Sequence, residues 1–136
     1  MSIAITEDHR ALAESVADFL ARNQVRAAAR SLLAAPDEAL PAFWPDLARL
    51  GLLGLHLGEE YGGSGFGLPE VLVVAEQSGR ALLPGPYLPT VIASAVLAAA
   101  VGPEVVKERL LPGLADGSLR GAVALGGDVI DRKSVV

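Results

Sequence analysis

The chain has 136 residues, one domain's worth, with 51% apolar but only 4% aromatic side chains, so its core is built from Leu, Val and Ala rather than from rings. With 11 basic against 16 acidic residues the formal charge is −5 and no cationic cluster stands out, which excludes a phosphate-backbone binder and leaves nucleic acid off the expected partners. Cysteine is absent, excluding disulfides, thiolate metal sites and cysteine nucleophiles together, and a reducing cytoplasm is the simplest home.

The N-terminus carries no basic stretch leading into an apolar one, so no secretory leader is expected and the mature chain should start at or near Met1. Thr6 is a candidate N-cap, with Glu7 and Asp8 in the first turn where negative charge suits the helix dipole. Leu12, Val16, Phe19 and Leu20 follow at helical spacing, and the alanine-rich stretch through Leu33 extends this helix until Pro36 stops it. Arg22, Arg26 and Arg30 recur every four residues on the other side, and are read as a solvated face rather than an anion site. Asp37 and Pro41 open a second helix with Phe43, Trp44, Leu47 and Leu50 apolar and Gly51 as its left-handed end; Pro45 must then lie near its first turn. Leu53, Leu55 and Leu57 alternate with Gly54, His56 and Gly58 as an extended, half-buried connection, followed by a glycine-rich loop from Glu59 to Gly67.

Pro69 and Glu70 start a third helix running to Leu83, although the run Val71 to Val74 taken alone is equally a strand. Pro84 to Pro89 reads as a rigid turn. A fourth helix, Thr90 to Val101, is apolar on every side and must lie in the middle of something. No charge occurs from Ala81 to Pro103, but the prolines leave far fewer than the about 20 residues that a membrane span needs. Pro103 and Glu104 begin a short helix that Pro112 and Gly113 close after Leu111. Leu119 to Leu125 looks like the opening of a β-strand with nothing after it to pair with. The expectation is therefore an all-α domain over residues 1–118, an up-and-down helical layout, and at 119–136 an isolated strand-like segment that starts a missing β-domain or forms a non-native tail.

Few residues offer chemistry. His9 and His56 are the only histidines, one in the first turn of an exposed helix and one among glycines, so surface roles are expected of both and no metal site. Glu59 and Glu60 are neighbours on an extended segment and point apart, unlike a proton-sharing pair. Gly62 to Gly67 lacks the Lys-Ser or Lys-Thr of a phosphate loop and the spacing of a dinucleotide fingerprint, and Ser64 has no histidine placed to activate it.

Leu47 to Leu55 followed by Glu59-Glu-Tyr-Gly-Gly-Ser-Gly65 resembles the helix-and-loop signature of the N-terminal domain of flavin-dependent acyl-CoA dehydrogenases. Glu76 to Pro89 is similar to the next family helix and turn, particularly in the actinobacterial branch acting on bulky acyl-CoAs; Leu110 to Gly117 and Leu119 to Leu125 resemble the pre-sheet turn and first middle-domain strand. The resemblance implies an oxidoreductase of lipid or steroid catabolism that binds FAD, removes two hydrogens across the α–β bond of an acyl-CoA thioester and passes electrons to an electron-transfer flavoprotein. It also implies a homo- or hetero-oligomer. The catalytic glutamate and most flavin contacts belong to regions outside this chain, so no catalytic residue is expected here and the fragment alone should be inactive and bind FAD weakly or not at all. Tyr87, Leu88, Val91, Ile92 and Ser94 are the expected wall of the acyl pocket, and Leu125 and Gly126 the expected flavin contacts, although Gly126-Gly-Asp-Val-Ile replaces the Thr-Glu-Pro usual after that strand. The alternative is a non-catalytic helical interaction subunit of the same fold.

Overall fold

The computed structural model describes residues 5–34 and 39–124. Six α-helices follow one another: α1 (Glu7–Arg22), α2 (Val25–Leu32), α3 (Trp44–Arg49), α4 (Leu68–Ala81), α5 (Tyr87–Ala99) and α6 (Glu104–Ala115), with a 3₁₀ turn at Glu59–Tyr61. No strand occurs among the described residues, so the chain is all-α there; residues 119–124 run without regular structure, and Leu125 of the expected strand lies outside the described part.

α1 begins where the sequence predicts. The Thr6 hydroxyl accepts from the His9 backbone N–H at 3.2 Å, and His9 Nδ1 accepts from the Thr6 N–H at 3.2 Å. These reciprocal bonds satisfy two of the donors that a helix start leaves open. The helix does not continue to Leu33 as expected. Asn23 caps it, its side chain donating to the Phe19 carbonyl, and Gln24 turns the chain at φ 48° before α2 starts. The bend sends Val25 inward, where it is almost wholly buried beside Val16 and Leu20. Burial of one more aliphatic side chain, worth about 2 kcal/mol, outweighs the about 1 kcal/mol cost of a left-handed non-glycine residue.

Among the described residues the second predicted helix starts at Trp44 rather than Pro41 and ends at Arg49, with Pro45 in its first turn as required; Asp37 lies outside the described residues. Trp44 is buried, and its indole N–H donates to the Gly117 carbonyl at 3.0 Å, pinning α3 to the end of α6. The segment after Gly51 is not extended. It is a series of turns in which Leu52, Leu53, Leu55 and Leu57 are all buried, closed by Gly63 and Ser64 N–H groups donating to the Gly58 and Gly54 carbonyls. With side chains on every side buried, alternation was the wrong period: the segment lies between two cores. One gathers α1, α3, α4 and α5 around Leu47, Leu53 and Val74; the other joins Leu57 to Leu111, Leu114 and Ala115 of α6.

Two prolines also sit inside helices that they were expected to bound. Pro89 falls in the first turn of α5, where no N–H is needed, so α5 starts at Tyr87 rather than Thr90. Pro112 lies within α6, which continues to Ala115 because Leu114 and Ala115 gain burial against the second core. The glycine that ends α6 is Gly117 at φ 76°, not Gly113.

Candidate functional site

The fold places α5 with two unlike faces, and the expected pocket-wall residues divide between them. Tyr87, Thr90, Val91 and Ser94 recur at spacings of three, one and three and form one buried stripe. Leu88, Ile92 and Val96 recur every four residues on the outside and stand 50%, 44% and 52% exposed. Three aliphatic side chains in one uncharged row make an apolar strip that the described part of the molecule leaves uncovered. The expectation that α5 is enclosed on every side is thus corrected: one face is core, the other is open.

The buried stripe is anchored by polar contacts that fix the helix in place. The Tyr87 hydroxyl donates to the Leu52 carbonyl at 3.3 Å, and burial pushes its phenol well above the ordinary range. Ser94 is completely buried; its hydroxyl lies 2.9 Å from the Val91 carbonyl and 3.0 Å from His56 Nε2. A carbonyl only accepts, so the single Ser94 proton goes to Val91 and Nε2 must be the donor to Oγ. That assigns His56 as the neutral Nε2–H tautomer. Its Nδ1 lone pair is buried and meets no hydrogen-bond partner among the described residues, and burial lowers the pKa of the ring below 6.5. His56 is therefore not the surface residue that its glycine neighbours implied. His9 is not one either: its Nε2 lies 2.9 Å from Glu70 Oε1, while Glu70 Oε2 accepts from the Gly67 N–H at 2.9 Å. One imidazole thus ties the N-terminus of α1 to that of α4, and the pairing with His9 holds the Glu70 carboxyl below its usual range.

Thr90, expected only as the start of a helix, receives the chain arriving from α6. Its Oγ1 accepts from the Gly121 N–H at 3.2 Å, and a Cβ at Gly121 would fall 2.5 Å from the Ala93 Cβ. The segment leading towards Leu125 and Gly126 therefore crosses directly over α5, possible only because residue 121 has no side chain. Leu125 and Gly126, the expected flavin contacts, lie outside the described residues. No signal in the sequence marks Thr90 and Gly121, which are 31 residues apart, as partners.

The open face of α5 does not by itself fit a flavin. Holding an isoalloxazine or a pyrophosphate takes several N–H or cationic donors converging on one opening, and the open face of α5 presents only Leu88, Ile92 and Val96. Among the described residues no group of three or more His, Cys, Asp or Glu side chains could hold a metal ion, and no helix is long and apolar enough to cross a membrane.

Residues 6–118 match the family model described as acyl-CoA dehydrogenase, N-terminal domain, and the chain belongs to that family. It is 34% identical over 125 residues to acyl-CoA dehydrogenase IpdE2 of Mycobacterium tuberculosis, an alignment covering 91% of this chain and 38% of that protein. It is 41% identical over 85 residues to acyl-CoA dehydrogenase FadE12 of the same species, covering 60% of this chain and 21% of that protein. Mitochondrial isovaleryl-CoA dehydrogenase of Pongo abelii is 33% identical over 139 residues, covering 95% and 32%. A solved structure of a variant of the Tcur3481-Tcur3483 steroid ACAD superposes with a TM-score of 0.78 at 31% identity, over 93% of this chain and 35% of that one. The chain thus spans well under half the length of the relatives it matches.

Proposed function

We propose that this chain supplies the N-terminal helical wall of the acyl pocket in an FAD-dependent acyl-CoA dehydrogenase, which removes two hydrogens across the α–β bond of an acyl-CoA thioester. The observation that carries this reading is the two-faced α5: a helix locked by Tyr87, Thr90 and Ser94 on one side and presenting uncovered Leu88, Ile92 and Val96 on the other. Leu88 and Ile92 are the members of the expected wall free to touch a substrate chain or a covering domain. Tyr87, Val91 and Ser94 act as positioning residues behind them. Dispersion and burial against aliphatic side chains suit the hydrocarbon part of an acyl thioester, and add no polar group to compete with the thioester itself.

The base that takes the α-proton and the groups that hold FAD come from outside the described residues, so the chain alone is inactive and retains little or no flavin. The name of the similar solved structure, a steroid ACAD, supports a bulky acyl substrate. Electron-transfer flavoprotein is the carrier in this reading, the assembly a homo- or hetero-oligomer, and the setting the cytoplasm.

The test is to purify the chain with excess FAD, alone and after coexpression with a polypeptide carrying the middle and C-terminal domains of an acyl-CoA dehydrogenase. Flavin absorbance should comigrate with the assembly and not with the chain alone. Stoichiometric flavin on the isolated chain would overturn the proposal. Copurification with an intact, full-length relative would instead assign the chain to the non-catalytic partner reading.

A further inference from the structure

A trough runs along the start of α2, between α1 and the end of α4, on residues that the dehydrogenase reading leaves unused. Ala17, Ala21 and Ala27 make its apolar surface over the buried Leu20 and Val25, and Gln24, Gln77, Arg26 and Arg80 its rim; its volume is about 380 Å³, within the range of roughly 300–1,000 Å³ usual for small-molecule sites. An adjoining cavity continues it past Arg26 to Arg30 and Ser31.

The arginines of α2 look in sequence like a plain solvated stripe. Folding adds a third from 54 residues away: Arg26 Nη2 donates to the Arg80 carbonyl at 2.8 Å. That bond holds the Arg26 guanidinium at the end of α4 while leaving most of its donors unspent. Arg80 holds Glu76 Oε1 through Nε at 3.1 Å and Nη2 at 2.7 Å, so its own charge is balanced on the outer side. Among the described residues neither Arg26 nor Arg30 has a carboxylate within ion-pair distance. Gln24, left-handed at φ 48°, heads α2 without spending its carboxamide on a cap.

We propose that this trough binds an amphipathic carboxylate, a medium-length alkyl chain ending in a carboxylate group. The guanidinium fork of Arg26 pairs bidentately with the carboxylate, Arg30 lends further positive charge, and the alkyl chain lies on the exposed Ala17, Ala21 and Ala27. The requirement for negative charge is set locally, since a chain of formal charge −5 attracts no anion as a whole. The site is on a different part of the surface from the open face of α5 and stands or falls independently of the dehydrogenase reading.

Amide NMR of the 136-residue chain, titrated with octanoate, acetate and octyltrimethylammonium, tests it. Octanoate should move the Ala17, Ala21 and Ala27 signals saturably, acetate should bind at least about tenfold more weakly, and the ammonium should leave them unmoved. Arg26→Gln should weaken octanoate about tenfold or more. Because Arg26 also joins α2 to α4, Arg30→Gln provides a second variant: about threefold weaker binding with an unchanged thermal melt. Arg49→Gln, which pairs with Asp46 elsewhere, should change nothing. Equal binding of acetate and octanoate, equal binding of the ammonium, an unaffected Arg30→Gln, or no saturation would each overturn the proposal.

Discussion

His56 and Ser94 show how one buried pair sets both local structure and pH response. Burial lowers the folded-state pKa of His56 below its ordinary 6.5, so over the window beneath that value the unfolded chain binds more protons than the folded one. The stability this neutral ring contributes is present above pH 6.5 and is lost as pH falls through the lower folded value. Glu70, held down by His9, acts in a separate window: its contribution is present above pH 4.5 and is lost on further acidification. Urea denaturation across this range should therefore show two acid-side losses, the upper one removed by His56→Gln and the lower by Glu70→Gln. An unchanged upper loss in His56→Gln would show that the ring is not the titrating group. Neither pair is readable in the sequence, since each brings together residues 38 or 61 positions apart. A lone histidine near glycines or in a first helical turn carries no mark of the serine or glutamate that folding brings to it.

At the scale of elements, the glycine loop separates two reasons for glycine. Gly62 has φ 78° with nothing near where a Cβ would sit, whereas a Cβ at Gly63 would fall 2.1 Å from the Leu57 carbonyl oxygen and 2.6 Å from that of Gly54. Gly62→Ala should cost about 1 kcal/mol in backbone strain alone. Gly63→Ala should cost about 2 kcal/mol or more, because backbone atoms cannot step aside. Denaturant midpoints check the order, and a Gly62 variant less stable than the Gly63 one would contradict it. What was legible here followed from local chemistry: the Thr6 cap, Pro45 in a first turn, and the start of α4 at a proline and a glutamate are all decided within one helical turn. What was not legible depended on burial supplied from a distance. The bend at Gln24 is driven by the place waiting for Val25, and the passage of α6 through Pro112 by the core beside Leu57. The leucines around His56 look alternating only because their glycine neighbours carry no side chain to reveal that both sides are covered. The five residues expected at the pocket wall share α5, but the sequence does not show which of them turn inward, since the turn expected from Pro84 to Pro89 hides that Tyr87 and Leu88 belong to the helix.

Over the whole molecule, the row Leu88, Ile92 and Val96 is the surface feature with the largest consequence. An uncharged aliphatic strip tends to be covered by self-association when no other domain covers it. Analytical ultracentrifugation should show a concentration-dependent dimer or larger species, and Leu88→Gln combined with Ile92→Gln should return the chain to monomer while leaving its helical circular dichroism intact. A wild-type monomer at high concentration would count against an open strip. The same strip provides the most direct test of the acyl-wall account, because the chain has no cysteine of its own and one introduced thiol reports on one position. Ile92→Cys in dilute isolated chain should react with a thiol reagent nearly as fast as an unfolded control, Val91→Cys far more slowly, and Ile92→Cys should become protected when the middle and C-terminal domains are coexpressed. An Ile92→Cys already shielded in the isolated monomer, or one equally reactive in the assembly, would contradict the account.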